Sequence, residues 1–244
     1  MKKKSDNSNK RSKNTRNNYI IMDKSLFDFI FLKNIESINI ENEDYFVNQR
    51  SFEKVPSIDR NTARLLFFIS YLIKPEYILE IGFGSGFSSY SLYSGSKESI
   101  KKIFSFEHEK KRYLKGLDFI ETKKLPVELI NKDFSKEALN EIFEKKLKSD
   151  KNANFFDVIF IDGTKREYPF YFEIAFDYLR KGGIILFDNV LFNGNILKLI
   201  ELDKGKNVEG AKILINFVYN TIKDNRLLSY LLPVGDGILI SIKK

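Results

Sequence analysis

"ILEIGFGSGFSSY", residues 78–90, decides the fold. An apolar run leads straight into glycines at 82, 84 and 86, and a stretch of small residues compatible with a helix follows. Glycine loses more backbone entropy on folding than any other residue, so three in five positions imply a close approach of backbone or ligand. Strand, glycine turn and helix start in that order place the turn at the carboxyl end of a strand, where open α/β sheets bind their ligands.

Working outward, β-rich runs recur at "KIFSFEHE" from 102, "VELINKD" from 127, "FDVIFIDG" from 156 and "GIILFDN" from 183, with helical patterns between them. Their hydrophobicity is nearly continuous, as expected of strands covered on both faces. The alternation predicts an α/β fold with a doubly wound, mostly parallel, seven-stranded sheet. Residues 135–148 read as a helix with Ser135 as its N-cap, and another helix starts near Pro169 and stops at "RKGG", with Gly182 as the terminator. "LLSYLLPV" from 227 and "GILISIKK" from 237, separated by "GDG", predict a C-terminal antiparallel hairpin. Upstream, residues 20–36 read as an amphipathic helix, and a second runs from Asp59 until Pro75 stops it. The expected organisation is a basic tail (1–18) and one domain (19–244), made of N-terminal cap helices (19–74) and a cofactor-binding core (75–244).

Of the net charge of +8 on 244 residues, +6 sits in residues 1–18, "MKKKSDNSNKRSKNTRNN", so the remainder is close to neutral. The tail has no apolar periodicity and reads as disordered: a solvated leader or an RNA-steering arm. The chain has no cysteine, which excludes disulfides and thiolate metal sites, and its one histidine, His108, argues against multi-histidine metal sites and Ser-His-Asp catalysis. No signal-peptide pattern follows the lysines, and the longest helical apolar run, 65–73, is about half a bilayer span. The expectation is a cytoplasmic protein that does not enter the membrane.

The polar residues cluster at the strand ends: Gly82, Gly84 and Gly86 after the first strand, Glu107 after the second, Asp133 after the third, Asp162 after the fourth, and Asp188 with Asn189 after the fifth. The turn is G-x-G-x-G, and Phe87 stands where the dinucleotide fingerprint wants its third glycine, which argues against a dehydrogenase. Glu107 is placed to accept hydrogen bonds from ribose hydroxyls. S-adenosylmethionine has both an amino-acid end for the turn and a ribose for the acid.

On "ILEIGFGSGFSS", "FDVIFIDGTKREYPFYFEIAFDYLRKGGIILFDNVLFNG" and "LLPVGDGILIS", roughly residues 45–244 resemble the metal-dependent, catechol-type O-methyltransferases of class I fold. Among them the tRNA 5-hydroxyuridine methyltransferases look most similar, chiefly in "DNVLFNG" and "PVGDGILIS". The resemblance implies that Glu80, Gly82, Gly84, Gly86 and Ser88 surround the methionine moiety, that Glu107 holds the ribose, and that His108, Asp133 and Phe134 border the adenine. It also implies that Asp162, Asp188 and Asn189 ligate the metal, with Asp162 shared with the cofactor. Lys165 matches the family's general base, Asn216 a position near the acceptor, and residues 191–208 a candidate mobile lid. A homodimer is implied as well. Two carboxylates and an amide oxygen form a hard donor set suited to Mg²⁺ or another divalent cation. An acceptor with two adjacent oxygens would chelate such an ion and ionise more readily. Both 5-hydroxyuridine in tRNA and a small catechol-like phenol qualify; the basic tail and "KKRYLK" at 110–115 favour tRNA. A non-catalytic module binding RNA or a partner is the reading from another class, and intact Asp162, Lys165, Asp188 and Asn189 argue against it.

Overall fold

The computed structural model describes residues 38, 40–144, 155–192 and 208–244. The tail, the helix expected at 20–36 and most of the 191–208 segment lie outside the described residues.

The described chain opens with helices α1 (Glu43–Phe52) and α2 (Arg60–Ile73). Strand β1 (Tyr77–Ile81), helix α3 (Phe87–Gly95), strand β2 (Lys102–Phe106) and helix α4 (Lys110–Lys123) follow. Next come β3 (Val127–Ile130), α5 (Lys136–Ile142), β4 (Phe156–Ile161), α6 (Tyr168–Tyr178) and β5 (Leu179–Phe187). Helix α7 (Val208–Lys223) precedes β6 (Leu227–Leu232) and β7 (Ile238–Lys243). The strands form one seven-stranded sheet in the order β3-β2-β1-β4-β5-β7-β6. β1 to β5 are mutually parallel, and β7 runs antiparallel to both β5 and β6, as the hairpin signal predicted.

Local chemistry explains the element ends. The Asp59 carboxylate accepts from the amides of Asn61 and Thr62 at the start of α2, and Lys74, in the left-handed region ahead of Pro75, ends the helix. Ser135 Oγ accepts from the Ala138 amide and caps α5. In the central strands Ile78, Leu79, Val158, Ile159, Phe160 and Ile161 are all buried, so both sheet faces are covered and no inward/outward alternation survives.

One expectation is corrected. Helix α6 ends at Tyr178 rather than at "RKGG", because Leu179 is already extended and pairs with Phe156 in the sheet. Lys243 caps the helix instead, donating from Nζ to the carbonyls of Phe176 and Leu179 at 2.8 and 2.7 Å. Gly182, at φ 73°, lies within β5 where the register slips between Phe156 and Val158. A glycine that reads as a helix stop in sequence absorbs a strand irregularity in space.

Candidate functional site

The carboxyl ends of β1, β2 and β4 enclose a cleft of about 220 Å³. Its floor is the glycine turn, and the three glycines have different neighbours. A Cβ on Gly82 (φ 100°) would lie 2.3 Å from the carbonyl oxygen of Asp162, so bare backbone here lets β1 and β4 close on each other. A Cβ on Gly84 (φ 56°) would meet the Pro56 carbonyl at 2.4 Å, and the amide of Ser85 donates to that same carbonyl at 3.0 Å. Gly86 (φ 82°) starts α3 and has the Phe83 ring against it. The turn is therefore pressed by the protein's own backbone on two sides, and the cleft faces its remaining side.

Beneath the turn, Glu80 is fully buried in β1. Ser89 and Ser105 donate their hydroxyls to its Oε2, and among the described residues Oε1 has no hydrogen-bond partner. Burial raises its carboxyl from an ordinary 4.5 to about 7, with the serine hydrogen bonds opposing the shift. An acid whose folded pKa is raised stabilises the fold below its unfolded value and loses that contribution as pH rises through the folded one. Wild-type stability is accordingly expected to fall between about pH 4.5 and pH 7 through this group, and Glu80→Gln to flatten that part of the profile. Urea unfolding at intervals across the range reads the slope, and an unchanged slope in the variant contradicts the assignment.

At the end of β2 the Glu107 carboxylate, 3% exposed, accepts from the amides of Gly84 (3.1 Å) and Glu109 (2.8 Å) and from Arg112 Nη2 (2.8 Å). His108 is exposed beside it at the rim. Asp133 is exposed and Phe134 buried at the far end of the cleft, where the Phe134 ring meets Tyr171 edge-on with centroids 5.9 Å apart. Ser88 lines the cleft from the first turn of α3.

Between β4 and β5 lies the acidic cluster. Asp162 Oδ1 accepts from Lys165 Nζ at 2.7 Å, and the ammonium lies 5.3 Å from the centre of the Tyr168 ring. Asp188, 1% exposed, accepts at Oδ1 from the Asn189 amide at 2.7 Å. Its carboxyl is pushed well above the usual range, first by desolvation and then by the charge of Asp162, while Lys165 opposes the shift. Asn189 holds a left-handed φ of 54°, and the following residues are tied to the β6–β7 turn through Val190 N to Gly237 O (3.0 Å) and Leu191 N to Asp236 O (2.9 Å). The buried Tyr168 hydroxyl donates to the Asp188 carbonyl at 2.7 Å. Among the described residues no three acidic or histidine side chains form a cation-binding group; the third donor of the expected set is the amide of Asn189.

Asn216 stands apart. It is exposed on α7 and lines a separate cleft of about 360 Å³ with Phe172, Phe217 and Arg226. Sequence reasoning missed Arg112, Tyr168, Tyr171 and the Pro56–Ile58 segment, all of which build the site. Arg112 lay inside "KKRYLK" and read as surface charge. Lys110 and Lys111 are exposed, Lys115 pairs with Glu53, and Arg112 alone turns inward.

A sheet in this order, with a glycine turn and a buried acid at the ends of adjacent strands, defines the class I methyltransferase architecture. The chain belongs to the O-methyltransferase family, whose model matches residues 36–244. It is 28% identical over 179 residues to a caffeoyl-CoA O-methyltransferase of Medicago sativa, covering 73% of this chain and 71% of that one. A solved structure from Staphylococcus aureus, described as a caffeoyl-CoA O-methyltransferase, superposes with a TM-score of 0.73 at 25% identity over 90% of this chain and 100% of the other. The O-methyltransferase of Bacillus cereus, solved with S-adenosylhomocysteine, shares the fold with a TM-score of 0.70 at 22% identity over 88% and 96% of the two chains.

Proposed function

We propose that this chain transfers the methyl group of S-adenosylmethionine to a hydroxyl that has a second oxygen on the neighbouring atom. The observation carrying the proposal is the pair Asp162 and Asp188, one fully buried, beside Lys165 at the edge of the glycine cleft. Asp188 is out of water and faces the carboxylate of Asp162, with which Lys165 pairs, so a further cation between the two acids would offset the remaining charge.

The residues present fit both absent groups. The cleft offers the backbone of Gly82 and Gly84 and one remaining lone pair of Glu107 to the donor, with Phe134 and Tyr171 at the adenine end. When bound, the donor supplies an electrophilic methyl group. For a divalent cation, Mg²⁺ in our reading, Asp162, Asp188 and Asn189 would supply oxygen ligands, and the ion would acidify a chelating hydroxyl. Lys165, as the neutral amine, is the group placed to take the acceptor's proton at Nζ and become the ammonium that Asp162 Oδ1 holds over the Tyr168 ring. Tyr168 fixes the backbone of Asp188, and the β6–β7 turn fixes that of Val190 and Leu191, so the donors approach from a rigid frame.

A catechol-like phenol is the acceptor this geometry and the caffeoyl-CoA relatives support. 5-Hydroxyuridine in tRNA, equally able to chelate, is the second reading, favoured by the +6 charge of residues 1–18. The resemblance that suggests tRNA also suggests a homodimer, which sedimentation would reveal. Among the described residues no helix is long and apolar enough to cross a membrane.

The deciding assay compares full-length protein with a variant lacking residues 1–18, on a catechol and on hypomodified tRNA, at two salt concentrations. If tRNA is the acceptor, the truncation raises KM and flattens its salt dependence, because fewer counterions are released. If the phenol is the acceptor, both constants stay put. Full turnover in chelator would rule out the metal, and no methylation of either acceptor would overturn the reading.

A further inference from the structure

We propose that Arg112 is a positioning residue for ribose recognition, setting the Glu107 carboxylate so that one lone pair of Oε2 faces the ribose hydroxyls of the methyl donor. This rests on the donor assigned above. A carboxylate offers about four lone-pair sites in its plane. Both sites on Oε1 are filled, by the Glu109 amide and by Arg112 Nη2, each at 2.8 Å. On Oε2 the Gly84 amide fills one at 3.1 Å, and the other is left at the cleft wall.

The backbone alone supplies one neutral donor to each oxygen, the one on Oε2 the longer at 3.1 Å. Arg112 adds a second, charged donor to Oε1, which saturates that oxygen and leaves Oε2 as the one with a site to offer. It also supplies counter-charge to a group almost out of water, where an unpaired ion is costly. His108 Nδ1, at 3.9 Å from Oε1, is beyond hydrogen-bonding distance, so among the described residues Arg112 is the cation hydrogen-bonded to Glu107. Its inward direction follows from α4 itself. Gly116, one turn further along the same helix face, is buried, and a Cβ there would meet the Phe83 ring at 2.6 Å and Leu129 at 2.7 Å. That bare position lets α4 settle onto Phe83 next to the glycine turn, which brings the preceding turn of the helix to Glu107.

The test uses the full chain and two probes, S-adenosylhomocysteine and its analogue lacking both ribose hydroxyls, with binding measured by calorimetry and folding by circular dichroism. Arg112→Met and Glu107→Ala are each expected to weaken S-adenosylhomocysteine roughly tenfold, the scale of one charge-assisted hydrogen bond. Affinity for the dideoxy analogue should stay within about twofold of wild type, because the lost interaction needs a hydroxyl. Arg112→Lys, which keeps the charge and one donor, should recover part of the loss, and it carries the comparison if the methionine variant does not fold. An equal fall for both probes in the arginine variants would mean a merely structural role and overturn the proposal, as would wild-type affinity in Arg112→Met alongside a loss in Glu107→Ala. Folded wild-type protein that binds neither probe would overturn the donor assignment itself.

Discussion

Asp188→Asn is expected to reduce methyl transfer by on the order of 10³-fold or more, while donor binding stays within a factor of about two. The same substitution is expected to raise the melting temperature of the protein in chelator. Both results rest on one fact: a carboxyl that is 1% exposed faces the charge of Asp162, and its proton affinity is raised well above the usual range. A carboxyl so shifted stabilises the fold below its unfolded pKa and loses that contribution as pH rises, so a native state that keeps this acid is less stable at high pH than one without it. Asparagine removes the charge and can keep the 2.7 Å hydrogen bond from the Asn189 amide, leaving the turn in place. Activity and stability should therefore move in opposite directions, the pattern of a site that holds strain for function. Loss of activity together with a lower melting temperature would show that Asp188 is structural.

Gly82→Ala is the second large effect. The new methyl would lie 2.3 Å from the carbonyl oxygen of Asp162, on a residue at φ 100° where side chains are rarely tolerated. Neither contact partner is a flexible side chain, so β1 and β4 must part where the cleft begins. We expect a loss of about 3 kcal/mol or more in chemical denaturation, together with loss of donor binding. Gly182→Ala is the control, because its φ is also positive, at 73°, but the nearest atom to an added Cβ is an arginine side-chain nitrogen at 3.5 Å. It should cost about 1 kcal/mol, the torsional term alone. Similar losses at both positions would mean that the close approach to Asp162 adds nothing.

The strands were legible because burial on both faces writes an unbroken apolar run into the sequence, and because turns between strands demand glycine. The strand-end acids were legible for a related reason: Glu107, Asp162 and Asp188 each interrupt an apolar run at its carboxyl end. Arg112 was not, since a lysine-rich segment hides the one cation that folds inward among those that stay in solvent. The end of α6 misled for a different reason. Its cap is Lys243, 65 residues beyond Tyr178, and no local pattern reports a partner supplied from the far end of the chain. The contact of Gly84 with the Pro56 carbonyl is invisible in the same way.

The position of β7 bears on how the molecule comes to exist in a cell. It follows β6 in the chain yet lies between β5 and β6, pairing Ile184 with Ile242 on one side and Leu228 with Ile242 on the other. During synthesis β6 emerges first and has no strand to join, because its only sheet neighbour among the described residues has not yet been made. The turn that tethers Val190 and Leu191 is made only after β6, so the frame next to Asp188 is also completed late. A nascent chain that stops before Val234 would hold β1 to β5 with the glycine turn and Glu107, but not the turn residues that tether Val190 and Leu191. The parallel core is then expected to form ahead of that tether, an order that arrested chains of increasing length would reveal.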